Sequence, residues 1–182
     1  MKLRRFLFLL WAGLLVAAAA CAQPVSTLYD KAEYRIAMRD SVRLHTSVFT
    51  PKAPGKAPII IFRTPYGTGP YGEGQFPGSF EKGYMRSYVD RGRYMSEGEF
   101  MHVRPAGFGS VDETTDSYDT VDWLVKNIPG NNGRVGFAGC SYPGFYALMG
   151  GLSGHPAVKA VSPQAPVTDW YMGDDVHHNG VL

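Results

Sequence analysis

The chain has 182 residues, 45% of them hydrophobic and 19% charged, with a formal net charge of +2. That length suits about one domain, and the balance of apolar and charged residues excludes a disordered chain. Lys2, Arg4 and Arg5 carry much of the basic excess and sit in a leader, so no basic patch argues for nucleic acid as a partner.

The leader comes first. A positive start, MKLRR, precedes the apolar stretch FLFLLWAGLLVAAAA and the small residues of ACAQP, the three parts of an export signal. The apolar stretch is short for a membrane span, which needs about 20 residues. Residues 1–22 are therefore read as a signal peptide, and the mature protein is expected in the periplasm or outside the cell. Two processing routes stay open. Cleavage after Ala22 exposes Gln23; alternatively Cys21 carries a lipid anchor, although Ala18 stands where a larger aliphatic residue is usual. With Cys21 removed, Cys140 stands alone and no disulfide within the chain is possible. Cys140 is expected to be a buried structural thiol.

Next, YRIAMRDSVRLHTSVFTP alternates apolar and polar residues on both sides of Asp40-Ser41, which predicts two half-buried antiparallel strands and a tight turn. APIIIF at 57–62 reads as a fully buried strand. YGTGPYGEGQFPG is a loop, and a further strand is expected near 84–89, where Arg86 and Ser87 suit a core strand poorly. The clearest helix is DETTDSYDTVDWLVKNIPGNNG. Tyr118, Val121, Val125 and Ile128 share a predicted face, acidic residues crowd its start and Lys126 its end, and Pro129-Gly130 stops it. RVGFAG is then a strand, FYALMGGLSG a helix and AVKAVSPQAPV another strand. Strands alternating with helices predict a mostly parallel sheet, and two antiparallel strands leading into it point to the α/β-hydrolase arrangement.

GCSYPG, residues 139–144, falls between the strand and the helix. A serine hydroxyl is a weak nucleophile until a base takes its proton. Exposing it to base and substrate together requires a sharp turn, which small neighbours allow to close. Gly139 and Gly144 fit that need around Ser141. Tyr142 would offer its backbone N–H to a developing oxyanion at the helix start, where Pro143 needs no donor of its own. The alternative is an ordinary strand-to-helix turn.

FRTPYG (62–67), RGRYMSEGEF (91–100), the stretch 112–145 and WYMGDD (170–175) together carry a resemblance. The sequence resembles the α-amino acid ester hydrolases and cocaine-esterase-like (CocE/NonD) enzymes of the Xaa-Pro dipeptidyl-peptidase superfamily. The resemblance implies an α/β-hydrolase fold, a mostly parallel sheet with helices on both faces, with residues 23–182 forming the N-terminal part of its catalytic domain. It also implies roles. Ser141 corresponds to the nucleophile, and Tyr66 to a tyrosine whose hydroxyl joins the Tyr142 N–H in the oxyanion hole. Asp175 corresponds to a carboxylate that holds a substrate's α-ammonium group; its other reading is a helix cap or a solvent-facing acid, shared with Asp174. Asp90 directly precedes Arg91, one residue closer than the family's usual spacing, and Asp90, Arg91 and Arg93 are expected to form structural ion pairs.

Relatives place the triad acid and histidine well after the nucleophile, beyond a helical cap, with a β-rich C-terminal domain following. After Ser141 this chain has only His155, His177 and His178; the latter two are expected to be polar residues opening a cap. The expectation is a truncated, poorly active fragment lacking the cap, last strands and C-terminal domain of an exported serine hydrolase acting on small esters, amides or short peptides. No cofactor and no metal are implied. The rival readings are a dipeptidyl peptidase acting near proline and a non-catalytic secreted binding protein built on the same fold.

Overall fold

The structure is a computed structural model that describes residues 24–77, 93–101 and 110–170, together with the backbone of 85–89, 173–174 and 177–178. Cys21, Asp90, Arg91 and Asp175 lie outside the described residues. A single turn of helix, α1 (Val25–Leu28), leads into β1 (Tyr29–Ala37), which pairs with β2 (Arg43–Pro51) in one antiparallel register from Tyr29↔Pro51 to Ala37↔Arg43. The connecting turn falls where the alternation predicted it. Ser41 takes φ 71°, and Met38 N–H donates to the Val42 carbonyl at 2.8 Å.

Four further strands complete the main sheet: β3 (Ala57–Thr64), β4 (Met85–Val89), β5 (Asn131–Cys140) and β6 (Val158–Gln164). Their order is β1-β2-β4-β3-β5-β6. β4 runs antiparallel to β2 and parallel to β3, while β5 is parallel to both β3 and β6. The parallel neighbours are reached by crossovers, as parallel pairing demands, and two of those crossovers contain α2 (Glu113–Asn127) and α3 (Tyr142–Leu152). Two-residue strands β7 (Gly173–Asp174) and β8 (His177–His178) form a separate antiparallel pair.

The main core joins Ile36 and Met38 of the hairpin, Leu44 and Val48 of β2, Ile59 and Ile61 of β3, Val135 and Phe137 of β5, and Val121 and Leu124 of α2. Each such aliphatic side chain contributes about 1.5–3 kcal/mol through burial. A second, aromatic cluster unites Tyr142, Phe145, Tyr146 and Val167, with Phe100, Met149 and Trp170 against it.

Three burial expectations need correction. β2 is not half-buried: Leu44 to Phe49 are all buried. Its second face is covered by the loop after β3, where Ser47 donates to Thr68 at 3.2 Å and His45 and Phe49 meet the rings of Tyr71 and Phe76. β3 is not buried on both faces. Ile59, Ile61 and Arg63 are buried, whereas Ile60 and Phe62 on the opposite face are only partly covered.

In α2 the buried face is Glu113, Asp116, Ser117, Thr120, Val121 and Leu124, rather than one led by Tyr118 and Val125. Those two are only partly buried. The rotation has an electrostatic cause: the first turn of α2 faces the buried guanidinium of Arg63. Asp112 caps the helix by accepting from the N–H groups of Thr114 and Thr115, both at 2.9 Å, and Thr115 returns a bond to the cap backbone. A capping box of this kind contributes about 1 kcal/mol.

Candidate active site

Adjacent parallel strands end side by side, so the loops that follow their carboxyl ends share one rim of the sheet. β3 and β5 are such neighbours, aligned at Ile61↔Phe137. Three residues further along each strand, β3 ends at Thr64 and β5 at Cys140. The next residues out are Pro65-Tyr66 on one strand and Ser141-Tyr142 on the other. Topology therefore brings two distant stretches of sequence to one rim.

Ser141 is the single residue between β5 and α3, with φ 62° and ψ −123°. A residue with a Cβ pays about 1–3 kcal/mol for a backbone conformation of this sort, and it persists only where the surroundings enforce it. The surroundings do so through two hydrogen bonds. Ser141 N–H donates to the Gln164 carbonyl at 2.9 Å, and the Ser141 carbonyl accepts from Phe145 N–H at 3.1 Å.

Close approach of the backbone on both sides explains the flanking glycines. A Cβ on Gly139 would lie 2.1 Å from the Pro143 carbonyl oxygen, and one on Gly144 would lie 2.5 Å from the Gln164 oxygen. No side chain fits at either position. The result is an exposed Ser141 at the amino end of α3, where first-turn N–H groups, outside the helix's own ladder, and the helix dipole favour negative charge.

Tyr142 is the first helical residue, so its N–H has no carbonyl four residues earlier within the helix. Its ring is buried and packs against Tyr146 at 5.1 Å, Phe145 at 6.2 Å and Trp170 at 4.9 Å. Tyr66 is exposed, 62% of its surface being accessible, and its ring stands edge-on to the Tyr142 ring at 6.3 Å and 76°. Tyr66 N–H is held by the Thr64 hydroxyl at 3.0 Å.

The loop carrying Tyr66 is fastened to the hairpin as well. Lys31 Nζ donates to the Pro70 carbonyl at 2.5 Å and the Gly72 carbonyl at 3.2 Å, while Glu33 Oε1 accepts from Gly72 N–H at 2.9 Å. Burial alone would raise the Glu33 carboxyl; the bonds from Lys31 and Gly72 outweigh it and hold the group below its ordinary range.

Cys140 corrects an expectation: it is exposed, not buried. As the last residue of β5 it alternates with Gly139, whose side of the strand is occupied by the α3 backbone, so the thiol points away from that contact.

Arg63 is the feature that sequence reading missed, although it stands inside the quoted FRTPYG stretch. Its side chain is wholly buried, donating to the Glu113 carbonyl at 3.0 Å and facing the Asp116 carboxylate at 3.4 Å and the Glu113 carboxylate. A guanidinium in an otherwise apolar strand is the signal that was available, since a buried arginine requires carboxylate partners.

Among the histidines whose side chains are described, His45 and His155, neither reaches the corner. His155 is buried, 3.7 Å from Asp122 and edge-on to Tyr118. It lies just before β6, whose first residue pairs with Val135. Five residues of β5 separate Val135 from Cys140, about 17 Å at 3.3 Å per residue. His45 sits on β2, three strand positions from β5 and therefore about 14 Å away.

Comparisons with known proteins agree with this layout. A cocaine esterase from Rhodococcus sp. (strain MB1 Bresler) is 31% identical over 146 residues, covering 75% of this chain and 23% of that protein. Among solved structures, an α-amino acid ester hydrolase superposes with a TM-score of 0.72 at 37% identity, covering 82% of this chain and 27% of the other. An aminopeptidase from a marine sediment Thaumarchaeota archaeon gives 0.71 at 36% identity, with the same two coverages of 82% and 27%. The chain thus spans about a quarter of the length of these relatives. The fold is that of the α/β hydrolases. Residues 40–182 match the family model described as X-Pro dipeptidyl-peptidase (S15 family), and the chain belongs to that family of hydrolases.

Proposed function

We propose that this chain supplies the nucleophile and oxyanion hole of an exported serine hydrolase that cleaves ester or amide bonds through an acyl-enzyme. Ser141 Oγ attacks the substrate carbonyl and loses its proton to a histidine base. The carbonyl oxygen, now negative, accepts from the Tyr142 N–H and the Tyr66 hydroxyl. Collapse breaks the bond to the leaving group, which takes the proton from the base, and water then releases the acyl group by the same steps. The base and its acid partner are assigned to sequence outside these 182 residues, in keeping with the share of each relative that the chain spans.

The observation that carries this reading is the exposed Ser141, held at φ 62° between a strand and a helix beside both tyrosines. Such a geometry carries backbone strain, and it is what a nucleophile presented to base and substrate requires. Asp175 is proposed to hold the α-ammonium group of an amino-acyl substrate by a charge-assisted hydrogen bond. Residues 1–22 direct export, with Cys21 as a lipid anchor or the cut placed after Ala22.

Fluorophosphonate labelling tests the nucleophile. A protein extended through its downstream reading frame should label strongly and hydrolyse p-nitrophenyl esters, and Ser141→Ala should abolish both. Retained labelling in Ser141→Ala overturns the assignment. The 182-residue chain by itself should label at least about a thousandfold more slowly, because triad members act as a unit.

The family match favours a second reading, a peptidase that releases Xaa-Pro dipeptides. Comparing Ala-Pro-p-nitroanilide with an α-amino acid p-nitrophenyl ester separates the two: the acylase reading expects the ester to have the higher kcat/KM in a manner that Asp175→Asn reduces.

A further inference from the structure

Arg63 sits at a junction. It lies near the end of β3, three residues before Tyr66, and its side chain is wholly inside the protein. Attachments to the first turn of α2 hold it. Nη1 donates to the Glu113 carbonyl at 3.0 Å and approaches Ser117 Oγ at 3.5 Å; Nη2 faces Asp116 at 3.4 Å and also meets the Glu113 carboxylate. The guanidinium carbon also lies 4.7 Å from the centre of the Tyr146 ring. Tyr146 belongs to α3 and lies tilted against Tyr142, ring centres 5.1 Å apart, and Tyr142 meets Tyr66 at 6.3 Å.

These contacts close a circuit. From Arg63 one path to Tyr66 runs along the backbone through Thr64 and Pro65. The other runs through the rings of Tyr146 and Tyr142, on the helix that begins just after Ser141. A third connection ties the same guanidinium to the first turn of α2. An arginine used only to neutralise two acids would need no aromatic face, and one used only for packing would need no acids.

We infer that Arg63 is a positioning residue for the proposed oxyanion hole: its planar guanidinium, clamped by Glu113 and Asp116 and stacked on Tyr146, sets the Tyr66 hydroxyl relative to the corner at Ser141. This deepens the reading of Tyr66 as an oxyanion donor and rests on it. Lysine preserves the charge at position 63 but has neither the two-nitrogen fork, which here reaches the Glu113 carbonyl through Nη1 and both carboxylates through Nη2, nor the flat face for a ring.

A double-mutant cycle on the catalytically active, extended protein tests the coupling, with p-nitrophenyl acetate as the substrate and near-UV circular dichroism confirming folding. Arg63→Lys should lower kcat by at least about tenfold while changing KM by less than about twofold, and in a Tyr66→Phe background the same substitution should lower kcat by less than about twofold. Tyr146→Leu, which removes the ring without stranding a charge, should show the same loss and the same disappearance, and it serves if Arg63→Lys does not fold. An undiminished kcat in either folded variant overturns the inference. So does an equal loss whether residue 66 is tyrosine or phenylalanine, since that is the behaviour of a purely structural residue. If Tyr66→Phe alone leaves kcat unchanged, the oxyanion assignment fails first and the inference falls with it, a result read from the single variant.

Discussion

Ser141 holds a conformation, φ 62° and ψ −123°, that glycine adopts freely and other residues resist. Replacing it therefore separates function from stability. Ser141→Gly should raise the stability of the fold relative to Ser141→Ala by about 1 kcal/mol, because alanine keeps the Cβ that is strained here and glycine does not. Denaturant midpoints of the two variants check this. Equal midpoints would mean that the corner stores no strain. The flanking glycines answer to a different limit. Gly139→Ala and Gly144→Ala drive a Cβ into backbone oxygens at 2.1 and 2.5 Å, so the chain itself must move. Each should destabilise the protein by at least about 3 kcal/mol, near the upper end of single substitutions. Gly154→Ala is the control: it has φ 70° but open space around it, and only the backbone strain of about 1 kcal/mol applies.

Single elements are shaped by what they face as much as by their own periodicity. For α2, acidic crowding at the helix start was legible, whereas the capping box that Asp112 forms with Thr115 was not; Asp112→Ala should lower stability by about 1 kcal/mol in chemical denaturation. Its buried face was not legible, because the partner that buries Glu113 and Asp116 lies some fifty residues earlier on β3. On β2 the same lesson has a pH signature. His45 is buried under the loop that carries Tyr71, and burial pushes its imidazole below the ordinary value of 6.5. Glu33 acts in the opposite direction, while Arg35 and Lys31 reinforce the lowering. The folded protein thus binds fewer protons at this site than the unfolded chain. Stability from it is present above pH 6.5 and is lost as pH falls from there through the folded-state value. Melting temperature should drop on going from pH 7 to pH 5.5, and His45→Gln should flatten that part of the profile. A slope unchanged by the substitution would remove His45 as its cause.

Across the whole molecule, order in the sheet decides which loops meet. The hairpin, the apolar β3 run, the strand before Ser141 and the strand after α3 could be placed from alternation, apolar runs and turn residues alone. The corner at GCSYPG was legible for a comparable reason: glycines at two fixed offsets around a serine state a local backbone requirement, and local requirements are written in local sequence. What remained illegible depends on distant partners. No period along β3 marks Arg63 as buried among carboxylates, none along β2 marks its second face as covered by a loop, and the exposure of Cys140 follows from which side of β5 the helix backbone occupies. The sequence by itself determined the elements, the bend at Ser141 and the kinship that quoted motifs carry. Only the tertiary structure decided that Tyr66 and Tyr142 touch, that β3 lies beside β5, and that one arginine joins a strand to two helices. The physical reason is that backbone geometry and side-chain periodicity act over a few residues, whereas desolvation and ion pairing depend on whichever surfaces the fold brings together.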